Sequence, residues 1–310
     1  MRNQRNSAKI LKLLGFVFTT VFVMFILFNQ LAKKEKNENQ IISPLSDIVS
    51  FIARPFNNDA LKNIVQDSLK GTKGTYGVVI KNLKTGEFYA LNEHTVFQSA
   101  SLYKIWIMAI VFDQIQNGKL KENEELSEDV SVLNDKFNIS SESAELTEGT
   151  IAFTINQALQ QLITISHNYA SLLLTEKIKL SSVKTFLEKE GFNESTIGTD
   201  SDSPTSTPSD IALFFEKLYK GTLANPQDSN KMLDLLKRQK LNDKLPKYLP
   251  SEAIVAHKTG EIDFFTHDGG IVYGPKSDYI IVVLSKSDLP AAAEERIADI
   301  SKKVYDYFEK

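Results

Sequence analysis

The spacing of apolar residues changes several times along the chain, and each change marks a predicted element. Apolar side chains recur with helical spacing over Asp59–Lys70, over Leu102–Gln116 and through most of Ile155–Leu187, which predicts helices there. Two further helices are predicted over Asp210–Lys220 and Pro290–Phe308. The strands predicted before and after these helices decide the class of fold.

Short runs rich in β-branched and aromatic residues predict strands towards both ends of the chain. Tyr76–Asn82 and Glu87–Leu91 flank a turn that ends at Gly86, so we expect them to form a hairpin. Asn193–Pro208 is rich in Ser, Thr, Asp and Pro and is predicted to be a loop. Three later strands are predicted over Ile254–His257, Gly270–Tyr273 and Tyr279–Ser285.

This order of strands, helices, strands and a last helix predicts an α+β fold (an α/β sandwich). An antiparallel sheet built from both ends of the chain is expected to pack with flanking helices and beside an all-α subdomain. Within a domain of residues 59–310, we expect a sheet subdomain of about residues 59–100 and 210–310. The helical subdomain is expected to comprise about residues 101–209.

A basic tip and a long uncharged run distinguish residues 1–32. Leu13–Phe28 contains no charged residue, and flanking apolar residues can extend it to the ~17–25 residues of a membrane-spanning helix. A cleavable signal peptide has the same pattern, but Asn29–Lys33 offers only one small residue for cleavage. We therefore predict a signal-anchor with a cytoplasmic tip, a tether over residues 33–58 and an extracytoplasmic domain, which is secreted if the segment is cleaved.

Composition narrows the possible chemistry. Lys and Arg number 36 and Asp and Glu number 39, for a net charge of -3, so no nucleic-acid partner is predicted. Cysteine is absent, which excludes disulfides, thiolate zinc sites and a cysteine nucleophile. Any covalent catalysis must then use Ser, Thr, Lys or a carboxylate. The four histidines form no His-x-x-x-His pair, so neither a metal site nor another cofactor is predicted.

Ser101 and Lys104 lie where a loop enters the apolar helix predicted from Leu102. Their spacing places both side chains on one helix face, and the helix N-terminus puts partial positive charge beside the serine oxygen. A neutral lysine amine in that position could accept the serine proton and create a nucleophile. Because lysine ordinarily ionises near pH ~10.4, such a base must be desolvated or lie beside another cation.

Two later motifs support the prediction that Ser101 and Lys104 are a nucleophile and its base. Ser166–Asn168 lies in the predicted helical region, and Lys258–Gly260 is expected to end a strand. Single motifs of these kinds also occur elsewhere, with simpler explanations. Ser181-x-x-Lys184 is explained as a helix cap with a surface lysine, and Lys84–Gly86 as the hairpin turn.

The ordered set Ser-x-x-Lys, Ser-x-Asn and Lys-Thr-Gly is a signature of serine β-lactamases and penicillin-binding proteins. From about Asp59 to its C-terminus the chain resembles class A β-lactamases in particular. The stretches that carry the resemblance are Phe97–Lys104, Ile165–Leu173, Thr207–Ala212, Ala256–Glu261 and His267–Val272.

The resemblance implies three catalytic residues. Ser101 would attack the substrate carbonyl and form an acyl-enzyme. Lys104 would assist the deprotonation of Ser101, and Ser166 would relay a proton to the leaving nitrogen.

The resemblance also implies a substrate-binding set. Asn168 would hold the substrate's side-chain amide and bond the catalytic lysine. Lys258 and Thr259 would bind the substrate carboxylate, and Lys258 would help to lower the pKa of the catalytic lysine. The backbone N–H groups of Glu261 and of the nucleophile would form the oxyanion hole, and Gly260 belongs to the same binding strand.

The resemblance fails in one loop. Class A enzymes carry there a Glu-x-x-Leu-Asn motif whose Glu positions the water that hydrolyses the acyl-enzyme, and residues 191–207 are shorter and lack it. The local carboxylates Glu194, Asp200 and Asp202 are interpreted as a solvated polar loop. His167 stands where class A enzymes usually have Asp, which is a second departure from the family's pattern. Because the Glu that positions the water is missing, we expect acylation by β-lactams followed by slow deacylation.

Other functions stay open at this point. The same acyl-serine chemistry serves a peptidoglycan D,D-peptidase, and a domain that stays acylated could be a non-hydrolytic penicillin-binding or sensor module. A catalytically inactive relative is a third alternative. The expected partners are a β-lactam or D-Ala-D-Ala peptide and, through the N-terminal helix, a membrane.

Overall fold

The computed structural model describes residues 58–198 and 203–310. The strands in this part of the chain are β1 (Thr75–Asn82), β2 (Phe88–Leu91), β3 (Phe97–Gln98), β4 (Glu125–Asp129), β5 (Thr150–Thr154), β6 (Thr205–Ser206), β7 (Ile254–Ile262), β8 (Phe265–Tyr273) and β9 (Asp278–Lys286). The helices are α1 (Asp59–Leu69), α2 (Lys104–Gln116), α3 (Val130–Lys136), α4 (Ile155–Thr164), α5 (Asn168–Ile178), α6 (Leu180–Glu190), α7 (Pro208–Tyr219), α8 (Pro226–Lys237) and α9 (Pro290–Phe308). A short 3₁₀ helix, Ala100–Tyr103, leads into α2.

Five strands form one antiparallel sheet in the order β2-β1-β9-β8-β7. Strand β1, from the first part of the chain, pairs with β9 near the C-terminus, so that Val79 lies opposite Val282. Strand β7 pairs only with β8, which places Lys258 opposite Gly269 and leaves β7 at the edge of the sheet. The prediction of an antiparallel sheet built from both ends of the chain is confirmed.

Both faces of the sheet are buried because side chains alternate between two cores. Val79 and Val282 pack with the helices on one face, including α2 and α7. Val78 and Val283 lie on the other face, packed with Ile297 of α9 and with α1. Each fully buried side chain of this size contributes roughly 1.5–3 kcal/mol, so the sheet is a rigid base for the residues along its edge.

Helix α2 runs through the interior of the helical layer, and all its residues from Lys104 to Phe112 are buried. A helix that is apolar on every side requires such surroundings. Trp106 packs against Phe192 at a ring-centroid distance of 4.7 Å and edge-on against Phe214 at 5.2 Å. The N-terminus of α2, with Lys104, is therefore held firmly in place.

The helical region predicted over most of Ile155–Leu187 consists of three helices, α4, α5 and α6. The breaks coincide with Ser166 and Lys179, which have positive φ angles of 59° and 65°. A left-handed residue ends the helical hydrogen-bond pattern, whereas the apolar spacing continues across both breaks. Spacing alone could not reveal these ends.

The strand predicted over Ile254–His257 is longer than expected, because β7 continues to Ile262. The prediction that Lys258–Gly260 ends the strand is therefore wrong. The polar residues after His257 keep pairing with β8 as far as Ile262 opposite Phe265. Several elements were not predicted: the hairpin of β4 and β5, the short strands β3 and β6, helix α3, and helix α8, which begins at Pro226 after the side-chain cap Asn225.

The predicted N-terminal anchor (1–32) and nearly all of the tether (33–58) lie outside the described residues. No helix in the ranges 58–198 and 203–310 has both the length and the apolar character to cross a bilayer. The division into two subdomains stays a prediction.

Candidate active site

Ser101 is the second residue of the 3₁₀ helix and is partly buried. Ala100, just before it, has a left-handed φ of 46°, a conformation that costs a residue with a side chain about 1–2 kcal/mol. The strain sits immediately before the predicted nucleophile.

Gly260 brings the edge strand β7 against this turn. A Cβ atom at this position would lie 2.8 Å from the carbonyl oxygen of Ser99 and 3.2 Å from the backbone nitrogen of Leu102. Any other residue would have to push the turn away from the strand, so glycine permits the contact between Lys258–Gly260 and the turn that carries Ser101.

His267 of β8 fastens the segment just before this turn. Its Nε2 donates to the carbonyl oxygen of Gln98 at 2.8 Å, and its Nδ1 accepts from the backbone N–H of Ser285 at 3.1 Å. This pattern requires the neutral ring. Burial lowers the pKa of His267 to about 4, so the neutral form is also the stable one.

Lys104 lies fully buried at the start of α2, with three polar partners. Its Nζ contacts the carbonyl oxygen of Ser166 at 2.6 Å, the Oδ1 of Asn168 at 2.6 Å and the Oγ of Ser166 at 3.2 Å. Burial lowers its pKa to about 7, although the carboxylate of Glu145 acts in the opposite direction. A large fraction of Lys104 is therefore a neutral amine at neutral pH, as a base for Ser101 must be.

Ser166 stands between two lysines. Its hydroxyl oxygen is 3.2 Å from the Nζ of Lys104 and 3.1 Å from the Nζ of Lys258. The left-handed conformation of Ser166 turns its carbonyl oxygen towards Lys104 while its side chain faces β7. The break between α4 and α5 thus presents two oxygen atoms of one residue to the site.

Lys258 is fully buried on β7, and its Nζ donates to the carbonyl oxygen of the buried Thr259 at 2.8 Å. Burial and then the nearby Lys104 lower the pKa of Lys258 well below its usual range. The resemblance implied that Lys258 lowers the pKa of Lys104. In the structure, the main cause of the lowered pKa is burial for both amines.

Two residues at the site were not anticipated. Glu145, in the loop between α3 and β5, accepts a hydrogen bond from the Nδ2 of Asn168. Lys244, before β7, pairs with the carboxylate of Glu261. Neither belongs to a motif or to a periodic segment, so the sequence held no signal for them.

His167 and His257 make structural hydrogen bonds. The Nδ1 of His167 accepts from the backbone N–H of Ala170 at 3.2 Å and so caps α5, and burial lowers the pKa of His167. His257 pairs with Asp268 in the interior at 2.9 Å. No group of three His, Cys, Asp or Glu residues that could hold a metal ion occurs in the part of the chain that the structure describes.

Glu194 is bonded away from the catalytic amines. Its carboxylate lies 3.0 Å from the Nδ1 of His94 and accepts from the hydroxyl of Thr207 at 2.9 Å. Asp200 and Asp202 lie outside the described residues. Between 58 and 198 and from 203 onward, no carboxylate hydrogen-bonds Lys104 or Ser166.

The two isolated motif copies have simple explanations, although Ser181 is the second residue of α6 and not its cap, which is Lys179. Lys184 is exposed on α6, and its nearest carboxylate is that of Glu188, at 4.0 Å. Lys84–Gly86 forms the turn between β1 and β2, where Gly86 has a φ of 76°.

The antiparallel sheet with its helical layer, together with the Lys104–Ser166–Lys258 arrangement beside Ser101, defines a serine hydrolase. The model of the β-lactamase enzyme family matches residues 59–308. The chain therefore belongs to the β-lactamase enzyme family. No curated protein matches the chain with significant sequence similarity.

Solved structures show the same fold. PBP-A has a TM-score of 0.73 and 24% identity, over 83% of this chain and 98% of PBP-A. A β-lactamase from Sphaerobacter thermophilus has a TM-score of 0.71 and 22% identity, over 82% of this chain and 98% of its own. A PBP-A variant, solved as an acyl-enzyme complex with penicillin G, has a TM-score of 0.72 and 24% identity, over 83% and 99%. The α+β fold prediction is confirmed.

Proposed function

We propose that this protein is an extracytoplasmic serine enzyme that β-lactams acylate at Ser101 and that releases the acyl group slowly. The observation that carries the proposal is the network in which Lys104 and Lys258 share the hydroxyl of Ser166, next to the turn that holds Ser101. The network supplies a neutral amine, a hydroxyl and a second amine at the helix N-terminus that carries the nucleophile.

In the acylation step, Lys104 acts as the base. The two hydrogens of its neutral amine are directed to the carbonyl oxygen of Ser166 and the Oδ1 of Asn168, both at 2.6 Å. The lone pair is left to accept the proton of Ser101, and the longer contact of 3.2 Å with the Oγ of Ser166 is the path by which Lys104 passes that proton on. The Oγ of Ser101 bonds to the lactam carbonyl carbon, the C–N bond breaks, and a proton reaches the nitrogen through Ser166. Positioned proton transfer of this kind typically contributes ~10²–10⁴ in rate.

The edge strand β7 supplies the binding groups. Lys258 and Thr259 would hold the substrate carboxylate, and the N–H groups of Ser101 and Glu261 would stabilise the oxyanion. One such backbone donor is typically worth ~10²–10³ in rate. An unpaired strand edge can also align an extended peptide-like substrate along its length.

Slow deacylation is supported by the bonding of Glu194. Efficient hydrolysis of an acyl-enzyme needs a carboxylate that holds and activates water near the ester. Glu194 is committed to His94 and Thr207 and makes no hydrogen bond to Lys104, Ser166 or Lys258. A PBP-A variant that was solved as an acyl-enzyme with penicillin G is consistent with such a long-lived intermediate.

The test combines nitrocefin turnover with the intact mass of the purified full-length chain after exposure to penicillin. We expect a stoichiometric adduct on Ser101 with slow nitrocefin turnover. Ser101→Ala should abolish both, whereas the matched control Ser181→Ala, in the isolated Ser-x-x-Lys motif of α6, should change neither. Absence of both adduct and turnover would overturn the proposal, and fast turnover would overturn its deacylation step.

A peptidoglycan D,D-peptidase or a non-hydrolytic penicillin-binding module is the second candidate. The similarity of the fold to PBP-A and the commitment of Glu194 to His94 and Thr207 favour it over an efficient β-lactamase. Release of D-Ala from a peptide ending in D-Ala-D-Ala, dependent on Ser101, would identify the peptidase. A stable penicillin adduct without any peptide cleavage would identify the binder.

The N-terminal segment is proposed to be a membrane anchor. Its support is the uncharged run Leu13–Phe28 behind a basic tip. The full chain is expected in the membrane fraction after an alkaline wash, and a variant without residues 1–32 in the soluble fraction. Protease added to intact wall-stripped cells should remove the domain if it faces outward. A full chain found in the soluble fraction at its full mass would contradict the anchor.

A further inference from the structure

Glu145 reaches the site from a loop that is firmly held. The residue after it, Leu146, accepts hydrogen bonds through its carbonyl oxygen from Tyr169 at 2.7 Å and from Asn134 at 2.8 Å. Its backbone N–H also donates to the hydroxyl of Tyr169 at 3.1 Å. Tyr169 and Asn134 are buried and bonded to each other at 2.9 Å. The backbone beside Glu145 is thus fixed by interior residues, although the side chain of Glu145 is exposed.

The carboxylate of Glu145 is bonded to one end of an amide whose other end holds the catalytic amine. Asn168 donates to Glu145 through its Nδ2 and accepts from Lys104 through its Oδ1. Turning this amide over would place its N–H₂ group against the hydrogens of Lys104 and its oxygen against the carboxylate. Since a charge-assisted hydrogen bond is about twice as strong as a neutral one, Glu145 strongly favours the observed orientation.

We propose that Glu145 is a positioning residue of the acyl-transfer site, which holds the Asn168 amide with its Oδ1 towards Lys104 and places a negative charge near that amine. The inference rests on the proposed acylation of Ser101. It assigns a role in the site to the acidic loop before β5, which carries none of the three motifs.

The negative charge of Glu145 shifts the pKa of Lys104 in a definite direction. The titratable groups that face Lys104 are Lys258 from β7, His167 from the start of α5 and Glu145 from its loop. Burial lowers the pKa of Lys104, and Glu145 raises it. Removing the carboxylate therefore lowers this pKa below about 7. Burial keeps His167 neutral at this pH.

Lys258 faces a separate set of charges on the far side of the site. Its charged neighbours besides Lys104 are Asp268, Lys244 and Glu261. These groups are unchanged in a Glu145 variant. A shift in the pH profile of such a variant therefore reports on Lys104.

The experiment measures the second-order rate of acylation by a fluorescent penicillin from pH 5 to 9, using the full-length chain and its Glu145→Gln variant. Glutamine keeps an acceptor for Asn168 but removes the charge. We expect the acid limb of the profile to move to lower pH by about half a unit or more, with the plateau rate within about threefold of wild type. Glu145→Ala, which also loses the acceptor, should lower the plateau about tenfold.

The matched control is Glu142→Gln, because Glu142 lies in the same exposed loop and its hydrogen bonds stay with Ser140 and Ser141. Its profile should match that of wild type. If Glu145→Gln matches wild type, the charge of Glu145 has no effect on Lys104. If Glu145→Ala also matches wild type at an unchanged melting temperature, the positioning role is wrong although acylation stands. If the wild-type chain is not acylated at any pH, the proposed function itself fails.

Discussion

Lys104 and Lys258 approach the same oxygen atom, the Oγ of Ser166, from a helix and from a strand, at 3.2 and 3.1 Å. Two buried ammonium groups that share one acceptor repel each other and lack solvent to screen them. The arrangement is therefore stable only with at least one amine neutral. Burial lowers the pKa of both lysines, and the charge of Lys104 lowers that of Lys258 further. Lys104, which would ordinarily be a cation, can therefore act as a general base in this site.

The rate of acylation should depend on pH through Lys104. Because burial lowers the pKa of Lys104 to about 7, the base is active above that pH and lost below it. The second-order rate with a penicillin should be half-maximal near pH 7 and fall about tenfold per unit below it. Stopped-flow acylation over pH 5–9 measures this, and a rate that is flat across that range would show that Lys104 is not the base.

Replacing Gly260 by alanine should separate β7 from the turn that carries Ser101. The added Cβ would lie 2.8 Å from the backbone oxygen of Ser99, and backbone cannot yield as a flexible side chain can. We expect at least a tenfold loss in the acylation rate and a loss of about 1–3 kcal/mol in the free energy of unfolding.

Gly269→Ala is the matched control for Gly260→Ala. Gly269 lies opposite Lys258 on β8, but its added Cβ would meet only side chains, with the Cγ2 of Ile211 at 3.0 Å. Gly269→Ala should lower stability comparably and leave acylation near the wild-type rate. Equal losses of acylation in the two variants would mean that the contact of Gly260 with the turn has no special role.

The residues of the three motifs could be found from the sequence because their order and local spacing carry the resemblance. The sheet could also be predicted, since its strands have clear runs of β-branched residues. Glu145 could not be found, because its place in the site depends on the hydrogen bonds of Leu146 with Tyr169 and Asn134, which are tertiary contacts. The same holds for Lys244, whose partner Glu261 lies 17 residues further along the chain.

The breaks in the helical region Ile155–Leu187 show a second limit of prediction from the sequence. Ser166 adopts a left-handed φ although serine has no strong preference for it and the apolar spacing on both sides is helical. This conformation allows Ser166 to make two contacts with Lys104, and these contacts stabilise it. Such a conflict between local preference and tertiary contact occurs at functional sites and is invisible to pattern analysis.

Ser166 variants can separate chemistry from backbone strain. Both Ser166→Ala and Ser166→Gly remove the hydroxyl that the two lysines share, so acylation should fall ~10²–10⁴-fold in each. Only glycine relieves the left-handed backbone. Ser166→Gly should therefore be about 1 kcal/mol more stable than Ser166→Ala in chemical denaturation, and equal stabilities would show that the φ of 59° carries no cost.

The ion pair of Lys244 with Glu261 is expected to oppose the binding of substrate carboxylates. The side chain of Lys244 is 1% exposed and that of Glu261 57%, so a ligand meets the carboxylate before it can reach the ammonium. A substrate carboxylate held at Lys258 and Thr259 would approach the negative charge of Glu261 and compete with it for Lys244. Glu261→Gln keeps the backbone N–H of the oxyanion hole but removes this charge.

Glu261→Gln should therefore lower the penicillin concentration for half-maximal acylation by about threefold to tenfold, the effect expected for one partly screened charge at close range. The gain should shrink at high salt, because screening weakens repulsion between exposed charges. Acylation kinetics at low and high ionic strength test this, with Glu252→Gln, a carboxylate in the turn before β7, as the control for a change in net charge. Weaker penicillin binding in Glu261→Gln would mean that the carboxylate aids the substrate by holding Lys244 in place, and the competition argument would be wrong.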